Sequence, residues 1–158
     1  MRKQLDISTP EGLVDAMLNH GLTSADAHGI TDEELEAVYA QGYLALSEGR
    51  LDDAMRPLTF LVQQQPRDRR FQYSLGLCQQ SRGEFKSAGG FYATAMMLDA
   101  TDALSAFRMG ECLVGLDDLP AAREAFEAAI KLSAIGTDQS HVRGFAQTAL
   151  DQLVARGA

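Results

Sequence analysis

Apolar positions along this chain recur with a helical period from the first punctuated segment to the last. Leu13, Val14, Met17 and Leu18 form a short stripe that Thr9 can cap and Pro10 can start, with Gly21 as its stop. The stretch TSADAHGI then reads as a connector, and residues 1–9 carry no periodicity and read as a tail. Thr31 opens T-D-E-E, a capping box whose three acidic residues sit where a helix amino terminus favours negative charge. Near the carboxyl end, after a TDQSH connector, Val142, Phe145, Ala149, Leu150 and Leu153 share one side of a helix predicted to run to about Ala155.

Between these flanks the pattern repeats itself. The stretch from Arg69 to Asp102 coincides, at an offset of 34 residues in either direction, with a near-copy of itself. Gly76 falls on Gly42 and Gly110, Ala88 on Ala54 and Ala122, and Tyr73 on Tyr39 and Phe107. Small residues and aromatics coinciding without gaps at a period of about 34 are the signature of tetratricopeptide repeats. The predicted fold is therefore all-α: three tandem repeats in a right-handed α-solenoid, with a helical segment before them and a capping helix after. The boundaries follow as 1–34 for the amino-terminal segment, 35–68, 69–102 and 103–136 for the repeats, and 137–158 for the cap.

Each repeat is predicted to be two helices joined by a tight turn. The turns put Gly49, Gly83 and Asp117 where the chain reverses, then Leu51, Phe85 and Leu119 to pin the second helix. Gly42, Gly76 and Gly110 lie inside first helices, where glycine costs about 1 kcal/mol relative to alanine. Three such costs at one position imply a close approach, expected against Ala54, Ala88 and Ala122. Leu58, Tyr92 and Phe126, then Leu61, Ala95 and Ala129, continue the seam between helices. Pro57 and the pair Gly89–Gly90 either make the second helices that contain them adaptable or are tolerated in a well-packed array.

Composition narrows the function classes. The 14 Lys and Arg against 22 Asp and Glu give a net charge of −8, unsuited to a nucleic-acid backbone. The basic cluster Arg67, Arg69 and Arg70 reads as a solvated or ion-paired surface at a repeat junction, not an anion site. No apolar run reaches the roughly 20 residues of a membrane span, and the charged start lacks a following apolar segment, so a cytosolic protein is expected. Cys78 and Cys112 also stand 34 apart, in equivalent places of packed repeats too distant for a disulfide, and read as small buried side chains.

No catalytic constellation emerges. His20, His28 and His141 lack metal-ligand spacing. SRGEFKS lacks the Gly-Lys-Ser/Thr of a phosphate loop, and Glu111 has no second carboxylate at a spacing for acid–base work. Neither cysteine is placed as a nucleophile, so the chain reads as a binding protein with no cofactor rather than an enzyme. What the repeats offer is a groove lined by first helices. Its inward positions are Tyr39, Tyr43 and Leu46 in the first repeat; Arg70, Tyr73, Leu77 and Gln80 in the second; Leu104, Phe107, Glu111 and Val114 in the third. Such a lining suits an apolar peptide segment. The alternative for Tyr39, Tyr73 and Phe107 is packing between helices.

Three stretches carry a family resemblance: GITDEELEAVYAQGYLALSEGRLDDA, FQYSLGLCQQSRGEFKSAGGFYATAMMLDATD and FRMGECLVGLDDLPAAREAF. Together they resemble the class II, or translocator, chaperones of bacterial type III secretion systems over residues 12–135. The resemblance implies a bacterial cytoplasmic protein that keeps pore-forming translocator proteins soluble by holding an extended segment of them in the groove. It also implies a homodimer formed through the amino-terminal region, here Leu13, Met17, Leu18 and Leu22. The chain departs from the family at Ala103, where proline is usual, and at Pro57 and Gly89–Gly90. A generic repeat scaffold that assembles some other complex is the rival reading.

Overall fold

Thr9 sets the first helix, its side-chain oxygen accepting from the Gly12 N–H at 3.1 Å while Pro10 fills the first position. This helix, α1 (Pro10–Asn19), stops at Gly21, whose φ of +72° lets the Leu22 N–H return to the Ala16 carbonyl at 3.0 Å. The computed structural model describes residues 7–135 and 139–157, and all the regular structure within them is helical. Residues 1–6 of the expected tail, Gly136 at the expected end of the third repeat, and Thr137 and Asp138 of the connector lie outside the described residues.

The expected connector TSADAHGI contains a helix of its own, α2 (Ser24–His28). Thr23 and Asp26 exchange a reciprocal pair of hydrogen bonds, at 3.1 and 2.8 Å. The T-S-A-D spacing is the same capping box that Thr31 and Glu34 form at the next helix. Five residues are too few to display an apolar period, so only the box could have revealed it. Ala25 is buried, and Gln64 bonds both Ser24 and His28, fixing α2 against the first repeat.

Three helical hairpins follow: α3 (Asp32–Ser47) with α4 (Leu51–Gln64), α5 (Arg69–Ser81) with α6 (Phe85–Leu98), and α7 (Ala103–Gly115) with α8 (Leu119–Ser133). The reversals sit at Gly49, Gly83 and Asp117, with φ of +74°, +80° and +61°. Asp117 is the only non-glycine residue with positive φ among the described residues, and aspartate tolerates that region better than most. From α3 onward each helix packs on its neighbours in sequence, and α3, α5, α7 and the final α9 (Ser140–Ala155) also touch in succession. This is the stacked geometry of a tetratricopeptide solenoid, with the odd-numbered helices forming its inner face.

The glycines explain how tightly each hairpin closes, with different partners from those expected. A Cβ on Gly42 would lie 3.1 Å from Leu58, one on Gly76 2.9 Å from Tyr92, and one on Gly110 2.4 Å from Phe126. The nearest atoms thus belong to the large residues one turn beyond Ala54, Ala88 and Ala122, not to those alanines. The glycine makes room for a bulky side chain instead of letting two small ones meet. Each exchange is favourable: about 1 kcal/mol of lost helix propensity against about 1.5–3 kcal/mol for burying a leucine or aromatic ring. Leu58, Tyr92 and Phe126 are all buried.

The two expected weak points are absorbed. The α4 helix runs without interruption through Pro57, whose ring packs on the Gly42 gap at 3.2 Å from where a Cβ would be. The α6 helix likewise continues through Gly89 and Gly90, where the Gly90 carbonyl accepts from the Thr94 hydroxyl at 3.0 Å. The basic cluster is ion-paired as expected in two of its three members. Arg69 donates to Asp102 at 2.9 Å, and Asp102, fully buried, also accepts from the Ser105 hydroxyl and N–H, at 2.5 and 3.0 Å. A single carboxylate therefore caps α7 and ties it to the start of α5. Arg70 pairs with Glu36 at 2.6 Å and Asp68 at 2.7 Å.

The last helix keeps the repeat period, since Gly144 stands 34 residues after Gly110. Among the described residues nothing lies within 4 Å of a Cβ placed there. Two substitutions of glycine by alanine should therefore have opposite signs. Gly110→Ala is expected to destabilise the fold by about 1–3 kcal/mol, because Phe126 must shift. Gly144→Ala should stabilise it by up to about 1 kcal/mol through helix propensity alone. Urea denaturation of the two variants beside the parent measures both.

Candidate functional site

The inner face is read best from its repeating pairs. Tyr39 on α3 and Ser74 on α5 share a hydrogen bond at 3.3 Å; one repeat later, Arg108 on α7 donates to the Tyr73 hydroxyl at 3.4 Å. In both cases the tyrosine is held at its tip by the following first helix, with its ring flank left partly open. Tyr39 also touches Tyr43 and Phe71, with ring centroids 5.9 and 5.3 Å away, and Arg70 lies over its face at 5.3 Å. Tyr43 keeps 53% of its surface exposed. Leu77 on α5 is partly buried beside this cluster.

A polar network crosses the middle of the face. Arg108 Nη1 donates to Glu111 Oε2 at 2.8 Å, and the Gln80 amide donates to the same oxygen at 2.9 Å. The Gln80 carbonyl oxygen in turn accepts from the Tyr92 hydroxyl at 2.7 Å. Tyr92 belongs to the second helix of its repeat. Its ring passes over Gly76 and meets the Tyr73 ring at a tilt, with centroids 5.6 Å apart, so the glycine gap delivers a hydroxyl to the inner face. Burial pushes the Tyr73 and Tyr92 phenols above their ordinary range and the Cys112 thiol up to about 11. All three stay neutral at ordinary pH.

The expected groove residues therefore divide. Tyr39, Tyr43 and Leu77 lie around the Phe71 cluster of α3 and α5, whereas Tyr73 packs with Tyr92 in a separate cluster, with Gln80 on the polar network. Arg70 lies at the edge of the first cluster, committed to Glu36 and Asp68. Leu46 and Phe107 are buried, Phe107 because Phe126 and Phe145 close on it at 5.7 and 6.1 Å. Leu104 is partly buried, and its N–H donates to the Gln139 side chain at 3.1 Å. Glu111 joins the network, and Val114 lines a pocket between α7 and α9. Arg108 was absent from the expected set. It stands in the register of Ala40 and Ser74, and nothing in that position's first two occurrences announces a charge.

The amino-terminal residues sit apart from this face. Leu13 and Leu22 are partly buried, whereas Met17 and Leu18 are 39% and 72% exposed. Val14 is exposed beside them, so one side of α1 presents apolar surface to solvent. No helix among the described residues is long and apolar enough to cross a membrane, and no three His, Cys, Asp or Glu side chains among them group as metal ligands.

No family model matches the chain. Among curated proteins it is similar to the chaperone protein SicA of Salmonella typhimurium, 29% identical over 110 residues that span 70% of this chain and 67% of the relative. Among solved structures, a type III secretion complex from Aeromonas hydrophila superposes with a TM-score of 0.85 at 26% identity, covering 92% of this chain and 97% of the other. PcrH of Pseudomonas aeruginosa, solved in complex with the chaperone-binding region of PopD, superposes with a TM-score of 0.78 at 28% identity, covering 82% and 98%.

The buried neutral acids give the fold a defined alkaline weakness. Their pKa values are raised in the folded state, so the unfolded chain releases protons first as pH climbs. Stability is whole below about pH 9 and is lost as pH rises toward and past about 11. The melting temperature is expected to be flat through neutral pH and to fall across that window. Cys112→Ala should lessen the slope of that fall, measured by circular dichroism melts in matched buffers.

Proposed function

We propose that this chain, a translocator chaperone of the type III secretion family, binds an extended apolar segment of a pore-forming translocator along its inner face. The observation that carries the reading is the likeness to PcrH, which extends over nearly all of that protein and was solved with its bound segment in place. The chain's own chemistry supports it. Tyr43, exposed, and the partly open Tyr39, Tyr73 and Leu77 offer apolar contact, and aromatic anchors of this kind dominate peptide affinity. A translocator segment left in water exposes apolar surface and aggregates. A partner of net charge −8 that covers it keeps the complex dispersed.

In this account the protein works in the bacterial cytoplasm, without a nucleotide, and hands its partner on to the secretion machinery. It acts as a holder and not as an enzyme. The exposed apolar side of α1, with Val14, Met17 and Leu18, is assigned to contact with a second copy; Leu13 and Leu22, partly covered already, support that helix from behind. The rival scaffold reading predicts a partner without an apolar segment and gives no role to the exposed Tyr43 ring.

Co-expression with the pore-forming protein that this chain serves should move that protein from the insoluble to the soluble fraction. Tyr43→Ala, at an exposed position, should weaken the complex at least about tenfold with no loss of melting temperature. The double substitution Tyr39→Ala with Tyr73→Ala should abolish it while leaving the helical spectrum intact. Unchanged binding in both variants would remove the inner face from the account. For the dimer, Leu18→Glu should shift the mass measured by light scattering from two chains to one.

A further inference from the structure

The repeat period does not stop at the third hairpin. Displaced by 34 residues, Gly110 falls on Gly144, Cys112 on Ala146, Phe107 on His141 and Glu111 on Phe145. The α9 helix takes the place of a fourth first helix. Ala146 is buried as Cys78 and Cys112 are, and Val142 is buried in the register of Ser74 and Arg108. The faces that a fourth second helix would have covered carry Ser140, Arg143, Gly144 and Gln147, which are polar or small and exposed. That side is a solvated end.

The inner side of α9 departs from this polarity. Phe145 keeps 57% of its surface exposed while its ring meets Phe107 at 6.1 Å and His141 at 6.2 Å. One turn further along α9, starting at Ala149, lies a pocket of about 200 Å³ between α7 and α9. Val114, Phe126, Ala149 and Leu153 form its apolar part, and Glu111 and Arg156 its charged margin. Glu111 belongs as well to the network that holds Arg108 and Gln80, so the pocket is continuous with the face described above.

We infer that α9 is a fourth wall of the peptide-binding face, where Phe145 and the adjoining pocket take an apolar side chain of the bound segment beyond the third repeat. This rests on the proposed binding face and deepens it. The third repeat's aromatic position, Phe107, is sealed, and Phe145 is the ring that replaces it at the surface. The occupant is the same extended apolar segment, running past Glu111 instead of ending there. The cap thereby acquires a binding role in addition to its structural one.

The test uses the full chain and a fluorescently labelled peptide spanning the chaperone-binding region of PopD, with affinity read by anisotropy. Phe145→Ala should weaken binding about five- to twentyfold with the melting temperature kept. Ala149→Leu, which fills the pocket with an apolar group of the chain's own, should weaken binding with stability equal or higher. If Tyr43→Ala weakens binding while both α9 variants bind like the parent, the fourth wall is overturned and the binding face stands. If the parent chain binds neither this peptide nor the matching segment of the pore-forming protein that it serves, the binding face falls and the inference falls with it.

Discussion

The constraint on which the rest depends is the room that one missing side chain leaves in each first helix. With alanine at Gly110 the Phe126 ring would be met at 2.4 Å, far inside van der Waals contact, and the hairpin would have to open. The same gap recurs under Leu58 and Tyr92, so each repeat is locked by one large side chain laid over one glycine. Since every repeat touches only its neighbours, the angle set at these three points propagates into the curvature of the whole array. Gly115 adds a fourth close approach between repeats, where a Cβ would stand 2.6 Å from the Phe85 ring.

The same constraint reaches the site. Tyr92 is long enough to fill the Gly76 gap and still place its hydroxyl on Gln80, from which the hydrogen bonds pass to Glu111, Arg108 and Tyr73. Packing between helices and the chemistry of the inner face therefore share a residue. Such a fully paired network fixes the floor of the face and neutralises its one arginine and one glutamate against each other. The apolar rings beside it are left as the adhesive surface.

Much of this was legible in the sequence, and for definite reasons. Period and turn chemistry are local, so the three hairpins, the reversals at Gly49, Gly83 and Asp117, and the Thr9 and Thr31 caps could be read directly. The α2 helix escaped because its only signal was a capping box over five residues. The partners of Gly42, Gly76 and Gly110 were misjudged because alanine repeats as faithfully as the large residue one turn on, and only three-dimensional contact separates them. Arg108 broke the repeat instead of following it, so a reading built on periodicity passed over it. Phe107 matched the aromatic register of Tyr39 and Tyr73, yet α9 closes over it, a consequence of tertiary packing that the register alone does not contain.

Burial also explains why the inner face divides into a sealed end and an open one. On α3 Tyr43 and Leu44 remain exposed, whereas at the third repeat α9 packs on α7 and covers Phe107. The central claim is that the odd-numbered helices form one continuous surface for an extended apolar segment. Amide chemical-shift mapping of the nitrogen-15-labelled chain, titrated with an extended apolar segment of its proposed pore-forming partner, tests it most directly. The account predicts shifts that run along α3, α5 and α7 and continue onto α9 around Phe145. Shifts confined to α4, α6 and α8, or absent altogether, would contradict it.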